Sequence, residues 1–512
     1  MLLMLILLTL GGMIVGALLA NHLMPKAVGE PSHALEVEAD ATELDRALEP
    51  MLAGHPGHSG VVLINDGFDA FAVRALAARS AGRSLDLQYY MWRDDLCGRL
   101  LALEVWRAAE RGVRVRMLVD DMNAHGLDRQ MLALDAHPNI ELRLYNAFRN
   151  RRGIRRLLEM VVRALRINHR MHNKAWIADG RVAIVGGRNV GEEYFGAAAE
   201  VNFRDLDLLL IGPAVAGAET IFDRYWNSEA VVPLAAVGER GSRGLQDFVS
   251  DIERQVDSEE AQAYFSRVRA SSGVAAFLAR ERHPIWSERV EVVADPPHKW
   301  RTDDRQQWLV GRLAEIIDAS RVRAWLISPY FVPGQSGTER LLTLVRRGVD
   351  VGIVTNSLAA NDVPAVHGGY ARYRKPLLAG GAKLRELRAQ GYTETAGLFG
   401  SSGASLHTKA IVVDGQRGFV GSFNVDARSA ALNTEMGVLF DDPRLGAALE
   451  EEYRHLASPA LSFSVQLGQD DRVRWEDHAT QPPTILKREP GSGLARRVVA
   501  RVLRWLPIES QL

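Results

Sequence analysis

The chain has 512 residues, enough for two domains with additional segments, and its 62 lysines and arginines balance 63 aspartates and glutamates. This balance excludes a protein that binds polyanions through its bulk charge. Hydrophobic residues form 47% and charged residues 24% of the chain, as in globular proteins. The single cysteine, Cys97, excludes an intramolecular disulfide and does not indicate a compartment.

The N-terminal segment is apolar. Residues Leu2 to Ala20 carry no charge, and their number is close to the ~20 residues with which a helix spans a bilayer. We therefore predict a membrane anchor over residues 1–24. A cleavable signal peptide is the alternative, but no basic residue precedes the apolar run and Ala20 follows a poor cleavage sequence. Residues 25–59, which contain four prolines, are predicted to be a linker.

Each half of the chain contains a predicted strand–helix–strand unit. In the first half the strands are 84–90 and 113–119, and a helix over 100–111 ends at Gly112. In the second half the strands are 324–327 and 349–354, and a helix over 339–347 ends at Gly348. This pattern is typical of parallel pairing in an α/β fold. We expect lobes over 60–230 and 291–460, a helical connector over 231–290 and a C-terminal extension over 461–512.

Two segments combine arginines with apolar residues at helical spacing. The first runs from Arg149 to Arg170 and contains eight arginines and one acid, Glu159. The second lies at the C-terminus, where an apolar face with Trp505 beside it lies opposite Arg496, Arg497, Arg501 and Arg504. Both segments predict helices that lie on an anionic membrane surface. The alternative is a globular helix with a solvated basic face.

A polar motif, H-x-K-x(4)-D-x(6)-G-[GS]-x-N, occurs twice at a constant offset of 235 residues. The first copy consists of His172, Lys174, Asp179, Gly186, Gly187 and Asn189. The second copy consists of His407, Lys409, Asp414, Gly421, Ser422 and Asn424. Because six positions are kept at one offset, the pattern indicates an internal duplication.

Each copy of the motif predicts a β-hairpin. Apolar runs at 175–178 and 410–413 end in Asp-Gly, a hairpin-turn pair, and short strands follow at 182–185 and 418–420. The histidine and lysine lie two apart on one strand and therefore point to the same side. A pair of purely structural hairpins is the alternative, but turns do not require His-x-Lys in both halves.

The residue types in the motif suit the cleavage of a phosphodiester. One imidazole can attack phosphorus while the other donates a proton, since imidazole titrates near neutral pH. Lysine ammonium and asparagine amide groups can stabilise the phosphoryl oxygens, so no metal or other cofactor is expected. The predicted catalytic residues are His172, Lys174, Asp179, His407, Lys409 and Asp414. The predicted substrate-binding residues of the motif are Gly187, Asn189, Ser422 and Asn424.

Two acids follow the motif copies at the start of apolar strands. Asp205 in the first half corresponds to Glu435 in the second half. We predict that each acid bonds the far ring nitrogen of a catalytic histidine and orients the ring. A solvated acid at the end of a strand is the alternative.

The segment 356–372 has no equally polar counterpart in the first half. It follows the strand 349–354, at the end where α/β sheets carry their ligand loops. We predict that His367 and Arg372 bind the acceptor substrate, because this segment breaks the symmetry of the two halves.

With its doubled motif the chain resembles the phospholipase D superfamily. The flanking segments 171–174, 185–189, 205–207, 355–362 and 421–424 are similar to bacterial cardiolipin synthases of the C type. The resemblance covers the chain from about Gly60 to the C-terminus. It implies two duplicated α/β lobes related by a pseudo-twofold axis, with one active site at their interface, in addition to the N-terminal apolar helix.

The resemblance also implies an activity. The implied activity is that of a phosphatidyl-transferase, which forms cardiolipin from phosphatidylglycerol and a phosphatidyl donor. The donor is either phosphatidylethanolamine or phosphatidylglycerol, and the reaction passes through a phosphatidyl-histidine intermediate. We predict His172 as nucleophile and His407 as general acid, although the symmetry leaves the reverse open. The expected partners are phospholipids and an anionic membrane surface, and the expected location is the bacterial cytoplasmic (inner) membrane, as a single-pass or peripheral protein.

Three other functions were weighed. Attack by water in place of an alcohol would give a phospholipase D-type hydrolase. The same chemistry cuts nucleic acid, but the apolar N-terminus and the near-neutral charge disfavour a nuclease, so no nucleic-acid partner is expected. A non-catalytic membrane scaffold would have no reason to keep six motif positions in both halves.

Overall fold

The computed structural model describes residues 29–124, 128–148, 168–237, 244–278, 283–302, 305–389, 403–505 and 509–511, together with Gly12 and Glu159. The predicted anchor over 1–24, apart from Gly12, and most of the basic segment 149–170 lie outside these residues.

The first lobe is built on a sheet that contains the first motif copy. In chain order its strands are β1 (Ser59–Ile64), β2 (Ser84–Tyr89), β3 (Arg114–Asp120), β4 (Ile140–Tyr145), β5 (Ala175–Ala178), β6 (Val182–Gly186), β7 (Val201–Arg204), β8 (Asp207–Ile211), β9 (Val231–Pro233) and β10 (Ile285–Ser287). Among the described residues all but β7 form one sheet, in the order β10-β1-β8-β6-β5-β2-β3-β4-β9. Strands β2 and β3 are parallel, as predicted, and β4 extends the parallel set beyond the prediction.

Helices cover this sheet. They are Glu43–Ala53, Gly67–Ser80, Leu96–Glu110, Asp121–Ala124, Asp128–Asp135, Ala214–Trp226, Leu234–Val237, Leu245–Val256, Glu259–Ala270 and Ser272–Leu278, with the 3₁₀ helix Glu192–Tyr194. The helix Leu96–Glu110 begins four residues before its predicted start, because the side chain of Asp95 accepts the backbone N–H of Gly98 and caps the helix. It ends, as predicted, before Gly112, whose φ of 93° suits glycine.

The second lobe repeats the plan with the second motif copy. Its strands are β11 (Val290–Ala294), β12 (Arg323–Ile327), β13 (Asp350–Asn356), β14 (Lys383–Leu387), β15 (Gly403–Leu406), β16 (Ala410–Val413), β17 (Arg417–Gly421), β18 (Met436–Asp441), β19 (Ser462–Leu467), β20 (Val473–Asp477) and β21 (Thr484–Leu486). Among the described residues all but β15 form one sheet, in the order β11-β18-β17-β16-β12-β13-β14-β19-β20-β21. Its helices are Leu309–Asp318, Gly334–Arg346, Pro364–Tyr370, Arg374–Ala379, Ala427–Ala431, Pro443–Leu456 and Leu494–Leu503, with the 3₁₀ helices Lys299–Arg301 and Glu509–Gln511.

The two lobes share one hydrophobic core and one pair of strands. A cluster of buried side chains contains Val185 and Leu208 from the first sheet together with Met436 and Val438 from the second. Strand β7 of the first lobe pairs in parallel with β15 of the second. Both features bring the motif-bearing parts of the two halves against each other.

Three segments differ from the predicted domain organisation. The predicted linker contains the helix Glu43–Ala53, whose buried Asp45 binds Arg83 and Arg181 of the first lobe. The predicted connector over 231–290 adds β9 and β10 to the first sheet, and its helices pack onto the core of that lobe. The predicted extension over 461–512 adds β19, β20 and β21 to the second sheet. The sequence did not separate these additions because they carry no motif.

None of the described helices combines the length and apolar character needed to cross a membrane.

Candidate active site

Both motif copies form the predicted hairpins. Strand β5 pairs with β6, and β16 pairs with β17, in antiparallel register. The turn residues adopt left-handed backbone conformations, with φ of 54° at Asp179 and 67° at Gly180, and 54° at Asp414 and 65° at Gly415. These values are those of a two-residue hairpin turn that requires positive φ at both positions. The two hairpin predictions are confirmed.

The two motif aspartates bind the backbone of neighbouring segments. The carboxylate of Asp179 accepts the backbone N–H groups of Gly82, Arg83 and Ser84 at 2.9, 2.7 and 2.9 Å. The carboxylate of Asp414 likewise accepts backbone N–H groups of the segment 321–323. Each turn lies five residues beyond the lysine, about 16 Å along the strand at ~3.3 Å per residue. These contacts support the neighbouring strand, and a catalytic role of Asp179 and Asp414 stays a prediction.

His172 of the first lobe is held by an acid of the second lobe. Its Nδ1 lies 2.8 Å from Oε2 of Glu435, and 3.1 Å from the backbone oxygen of Ser422. The hydroxyl of Ser422 also donates to the same carboxylate oxygen at 2.5 Å. His172 is buried and Glu435 is fully buried. The contact leaves Nε2 as the ring nitrogen that can reach a substrate.

His407 of the second lobe is held by an acid of the first lobe. Its Nδ1 lies 2.6 Å from Oδ2 of Asp205. The Nζ of Lys409 lies 2.9 Å from the same Nδ1. One ring nitrogen cannot donate to Asp205 and accept from Lys409 together. We take the carboxylate as the partner, because a charged acceptor makes the stronger hydrogen bond.

The backbone repeats this exchange between the lobes. The N–H of His172 donates to the oxygen of Thr434, directly before Glu435, at 2.9 Å. The N–H of His407 donates to the oxygen of Arg204, directly before Asp205, at 2.7 Å. Each histidine therefore lies against the opposite acid through main-chain and side-chain contacts. These are the contacts that an orienting role requires, and the role itself stays a prediction.

The glycine and serine of the motif fit acids of different length. A Cβ at Gly187 would lie 2.2 Å from Oδ1 of Asp205, so this position has no room for a side chain. At the equivalent position Ser422 donates to the longer Glu435. The predicted roles of Gly187 and Ser422 in substrate binding are not supported by these contacts, which serve the acids instead.

The lysines give the site its positive charge. The Nζ of Lys174 donates to the backbone oxygen of His172 at 2.6 Å and lies 5.3 Å from the centre of the Tyr90 ring. The Nζ of Lys409 donates to the backbone oxygen of His407. Burial lowers the pKa of Lys409 to about 8 and that of Lys174 well below its usual value. An anionic substrate would favour their charged forms.

Burial also shifts the histidines. Burial lowers the pKa of His172 to about 4. The charge of Lys174 lowers this pKa as well, whereas the charge of Glu435 raises it. Burial and the charge of Lys409 lower the pKa of His407, and Asp205 opposes this shift. Both imidazoles are therefore neutral at pH 7.

The acids show the reciprocal effect. Burial raises the pKa of Asp205, but the charges of His407 and Lys409 outweigh it, so the pKa falls below its usual value. The pKa of Glu435 is lowered in the same way, with His172 outweighing burial. Both acids are therefore ionised beside the histidines.

The two asparagines differ in their contacts. The Nδ2 of Asn189 donates to the hydroxyl of Tyr194 at 2.7 Å, so this amide already has a protein partner. The side-chain oxygens of Asn189 and Asn424 are buried and have no hydrogen-bond partner in the part of the chain that the structure describes. Their binding to substrate stays a prediction.

Sequence reasoning missed aromatic side chains around the histidines. The ring of Tyr90 meets His172 edge-on at 5.1 Å. Phe203 stacks on His407 at 5.0 Å, and Tyr194 meets it edge-on at 5.2 Å. These rings limit water around the imidazoles. Phe203 and Tyr90 could have been noticed because each lies near a predicted strand and motif.

Three predicted residues point elsewhere. Arg170, the last arginine of the basic segment, is buried and donates to Asp120, which also accepts the N–H of Met171. We correct Arg170 from membrane contact to support of the segment before His172. His367 and Arg372 contact the C-terminal region, through Glu489 and Glu509. Their binding of acceptor stays a prediction.

The described residues contain no group of three or more histidine, cysteine, aspartate or glutamate side chains that could hold a metal ion.

Comparison with known proteins identifies relatives over both lobes. The sequence matches the family model described as "Cardiolipin synthase, PLD-like domain" over residues 76–226 and 313–457, and each range contains one motif copy. Cardiolipin synthase C of Escherichia coli (strain K12) is 40% identical over 470 residues, which cover 91% of this chain and 99% of that protein. A cardiolipin synthase of Staphylococcus aureus (strain N315) is 26% identical over 395 residues, or 76% of this chain and 66% of that protein.

A solved structure has the same fold. The crystal structure of phosphatidylserine synthase from Haemophilus influenzae Rd KW20 superposes with a TM-score of 0.58 at 15% identity. The superposition covers 91% of this chain and 99% of that chain. At this identity the likeness shows the bilobal α/β fold alone.

Proposed function

The chain belongs to the family of PLD-like domains described for cardiolipin synthases, and from this we propose that it is a phosphatidyl-transferase that joins two phospholipids into cardiolipin. The observation that carries the proposal is the exchange of acids between the halves. Glu435 holds His172 and Asp205 holds His407, so two oriented imidazoles share one buried, lysine-lined site. This single active site at the lobe interface is part of the proposal.

The first half-reaction transfers the phosphatidyl group to the enzyme. Nε2 of neutral His172 attacks phosphorus and forms the phosphorus–nitrogen bond. The bond to the donor's alcohol breaks, and protonated His407 donates its proton to the leaving oxygen. The low pKa of His172 supports its role as nucleophile, because an attacking imidazole must be unprotonated. Once a phosphate enters, its charge would raise the pKa of His407 toward the range of a proton donor.

The second half-reaction releases the product. His407, now neutral, takes the proton from a hydroxyl of phosphatidylglycerol, whose oxygen attacks phosphorus. The bond to His172 breaks, and the new phosphodiester completes cardiolipin. Water in place of the hydroxyl would give hydrolysis. Phe203 and Tyr194 support transfer, because they line the imidazole that would otherwise activate water.

The lysines stabilise the charge that develops on the phosphoryl oxygens. Lys174 and Lys409 lie one on each motif hairpin, beside the histidines, and both are buried. In a buried site such a charge acts more strongly than in water. The asparagine amides would complete this binding. The donor lipid, phosphatidylethanolamine or phosphatidylglycerol, stays open.

Phospholipid substrates require access to a bilayer, so the proposal includes association with the bacterial cytoplasmic membrane. The apolar segment 1–24 would anchor the chain, and basic surfaces would bind anionic headgroups.

Lipid product analysis tests the function. Membranes of cells that lack cardiolipin and express the chain should accumulate cardiolipin, and His172→Ala should abolish this. Donor lipids carrying distinct labelled headgroups would identify the alcohol released. Accumulation of phosphatidic acid without cardiolipin would instead identify a hydrolase. Cardiolipin at the wild-type level in the His172→Ala variant would contradict the mechanism.

A further inference from the structure

A cavity lies beneath the C-terminal helix, outside the site already described. Its volume is about 530 Å³, within the range of roughly 300–1,000 Å³ typical of ligand pockets. The helix Pro364–Tyr370 forms one wall, the helix Leu494–Leu503 forms another, and Trp475 also contributes. None of the motif side chains lines this cavity.

The lining is strongly cationic. Its charged side chains are Glu489 and six cations, Arg374, Lys487, Arg488, Arg497, Arg501 and Arg504. Glu489 already binds Arg374 at 2.5 Å and lies 3.3 Å from Nε2 of His367. In the part of the chain that the structure describes, no carboxylate lies within 4 Å of the other five cations. The cavity therefore holds positive charge that no carboxylate of the described residues neutralises.

Two further features mark the cavity as a site for an anion. Burial and the nearby charges of Arg374 and Arg372 lower the pKa of Arg504, which shows that these cations repel one another. His367 lines the cavity, is 1% exposed, and its Nδ1 has no hydrogen-bond partner among the described residues. An anion would relieve the repulsion and could accept a hydrogen bond.

The same helix also exposes apolar side chains. Leu494, Val498, Val502 and Trp505 are 71, 51, 57 and 83% exposed, and Leu494 and Val498 line the cavity beside the arginines. Arg496 ties the helix to the protein, because its Nε donates to the backbone oxygen of Leu358 at 2.9 Å. Cationic and apolar side chains therefore lie together at the cavity, as a lipid with an anionic headgroup requires.

We propose that this cavity is a second, non-catalytic binding site for an anionic phospholipid. The lipid phosphate lies among Arg497, Arg501 and Arg504, because guanidinium groups bind phosphate oxygens through paired hydrogen bonds. The acyl chains lie beside the exposed side chains of Val498 and Val502, which enter the headgroup boundary. Phosphate is the shared chemistry, and a free phosphate is the competing source.

The position of the cavity relates it to the active site. Arg496 binds the loop after β13 through Leu358. In the same loop region the side chain of Asn356 binds the backbone of Leu406 through both its nitrogen, at 2.9 Å, and its oxygen, at 3.0 Å. Leu406 directly precedes His407. A lipid in the cavity would thus hold this lobe, with His407, at the bilayer surface.

The test counts bound lipids on the full chain in neutral detergent. A His172→Ala parent prevents turnover, so the result does not depend on the proposed catalysis. Native mass spectrometry and titration with dihexanoyl-phosphatidylglycerol should reveal one lipid beyond that in the active site. The variant Arg497→Gln/Arg501→Gln/Arg504→Gln should lose it, with Kd raised about a hundredfold, since each cation contributes about fivefold.

A matched control removes equal charge elsewhere. The variant Arg254→Gln/Arg340→Gln/Arg346→Gln, on exposed helix positions with weak surface ion pairs, should keep both lipids. Loss of the second lipid in this control, or its retention in the cavity variant, would overturn the proposal.

A second variant separates lipid from free phosphate. The double change Val498→Asn/Val502→Asn makes these exposed side chains polar without adding charge beside the arginines, and it leaves the core intact. It should weaken the lipid and leave inorganic phosphate binding unchanged, and dihexanoyl-phosphatidylcholine should bind less than the anionic lipid. If inorganic phosphate binds as tightly as the lipid and the valine changes have no effect, the site takes the free anion and the lipid assignment is wrong.

Discussion

Replacing Glu435 by glutamine should disable His172 of the opposite lobe while preserving the fold. The change removes a buried charge 2.8 Å from Nδ1. Glutamine keeps the size of the side chain, and the hydroxyl of Ser422 can still donate to its oxygen. Attack on phosphorus makes the His172 ring cationic, so the charged pair with Glu435 forms in the transition state, and removing one member of a buried ion pair costs about 3–5 kcal/mol. If this cost falls on the transition state, the rate of transfer drops by about 10²- to 10⁴-fold.

The pH profile of the same variant identifies the role of His172. Since Glu435 raises the pKa of His172, its loss lowers that pKa further below about 4. If His172 is the nucleophile, the acid limb of the kcat profile moves to lower pH, because the imidazole then stays neutral down to a lower pH. If His172 is instead the proton donor, the alkaline limb moves to lower pH. Asp205→Asn should move the opposite limb through His407.

The assay is the formation of cardiolipin from labelled phosphatidylglycerol in mixed micelles, with thermal unfolding measured in parallel. Glu104→Gln is the matched control, because it removes another buried carboxylate, 2.8 Å from Arg79, on a helix outside the site. Its rate should equal that of the wild type. A Glu435→Gln variant that keeps its rate, or a shift of the same limb by both acid variants, would refute the exchange of acids as the basis of catalysis.

Three further changes test individual contacts. Asp179→Ala should lower the free energy of unfolding by about 3 kcal/mol and leave kcat unchanged, because its carboxylate serves only backbone donors; a large loss of kcat at full stability would confirm a catalytic role. Gly187→Ser should lower kcat by displacing Asp205. Adding Asp205→Glu should recover activity, because the double variant has the serine and glutamate pair found at Ser422 and Glu435. If the double variant does not recover, the residue at the glycine position is not matched to the length of the acid. Lys409→Met should cost about 3 kcal/mol in kcat, roughly a hundredfold, whereas a near-normal rate would exclude it from charge stabilisation.

Local structure around the motif was predictable from the sequence. Asp-Gly pairs between short apolar runs specify hairpins, and β5 and β16 have the bounds that the pattern indicated. The helix start at Leu96 was missed because the cap, Asp95, precedes the apolar repeat. The additions to each sheet were missed because strands such as β9 and β21 are only three residues long and gain their stability from neighbouring strands.

Contacts between the halves were not predictable from one sequence. The offset shows that Asp205 and Glu435 are equivalent, but it does not show which histidine each one meets. That depends on β7 pairing with β15, strands separated by about two hundred residues. The backbone contacts of the motif aspartates were not predictable for a related reason. A residue that is repeated in both halves can stabilise the fold or take part in catalysis. The sequence does not show which groups its side chain binds.

The exchange of acids makes each half incomplete alone. A first lobe by itself would leave Asp205 without His407 and His172 without Glu435, and a second lobe by itself would leave Glu435 without His172. Duplication therefore created a site in which orientation of each histidine depends on correct docking of the other lobe. It also allowed the halves to diverge. The short Asp205 side chain is combined with Gly187, the longer Glu435 side chain is combined with Ser422, and both acids contact a histidine. In the proposed mechanism, this divergence suits one imidazole to attack and the other to transfer protons.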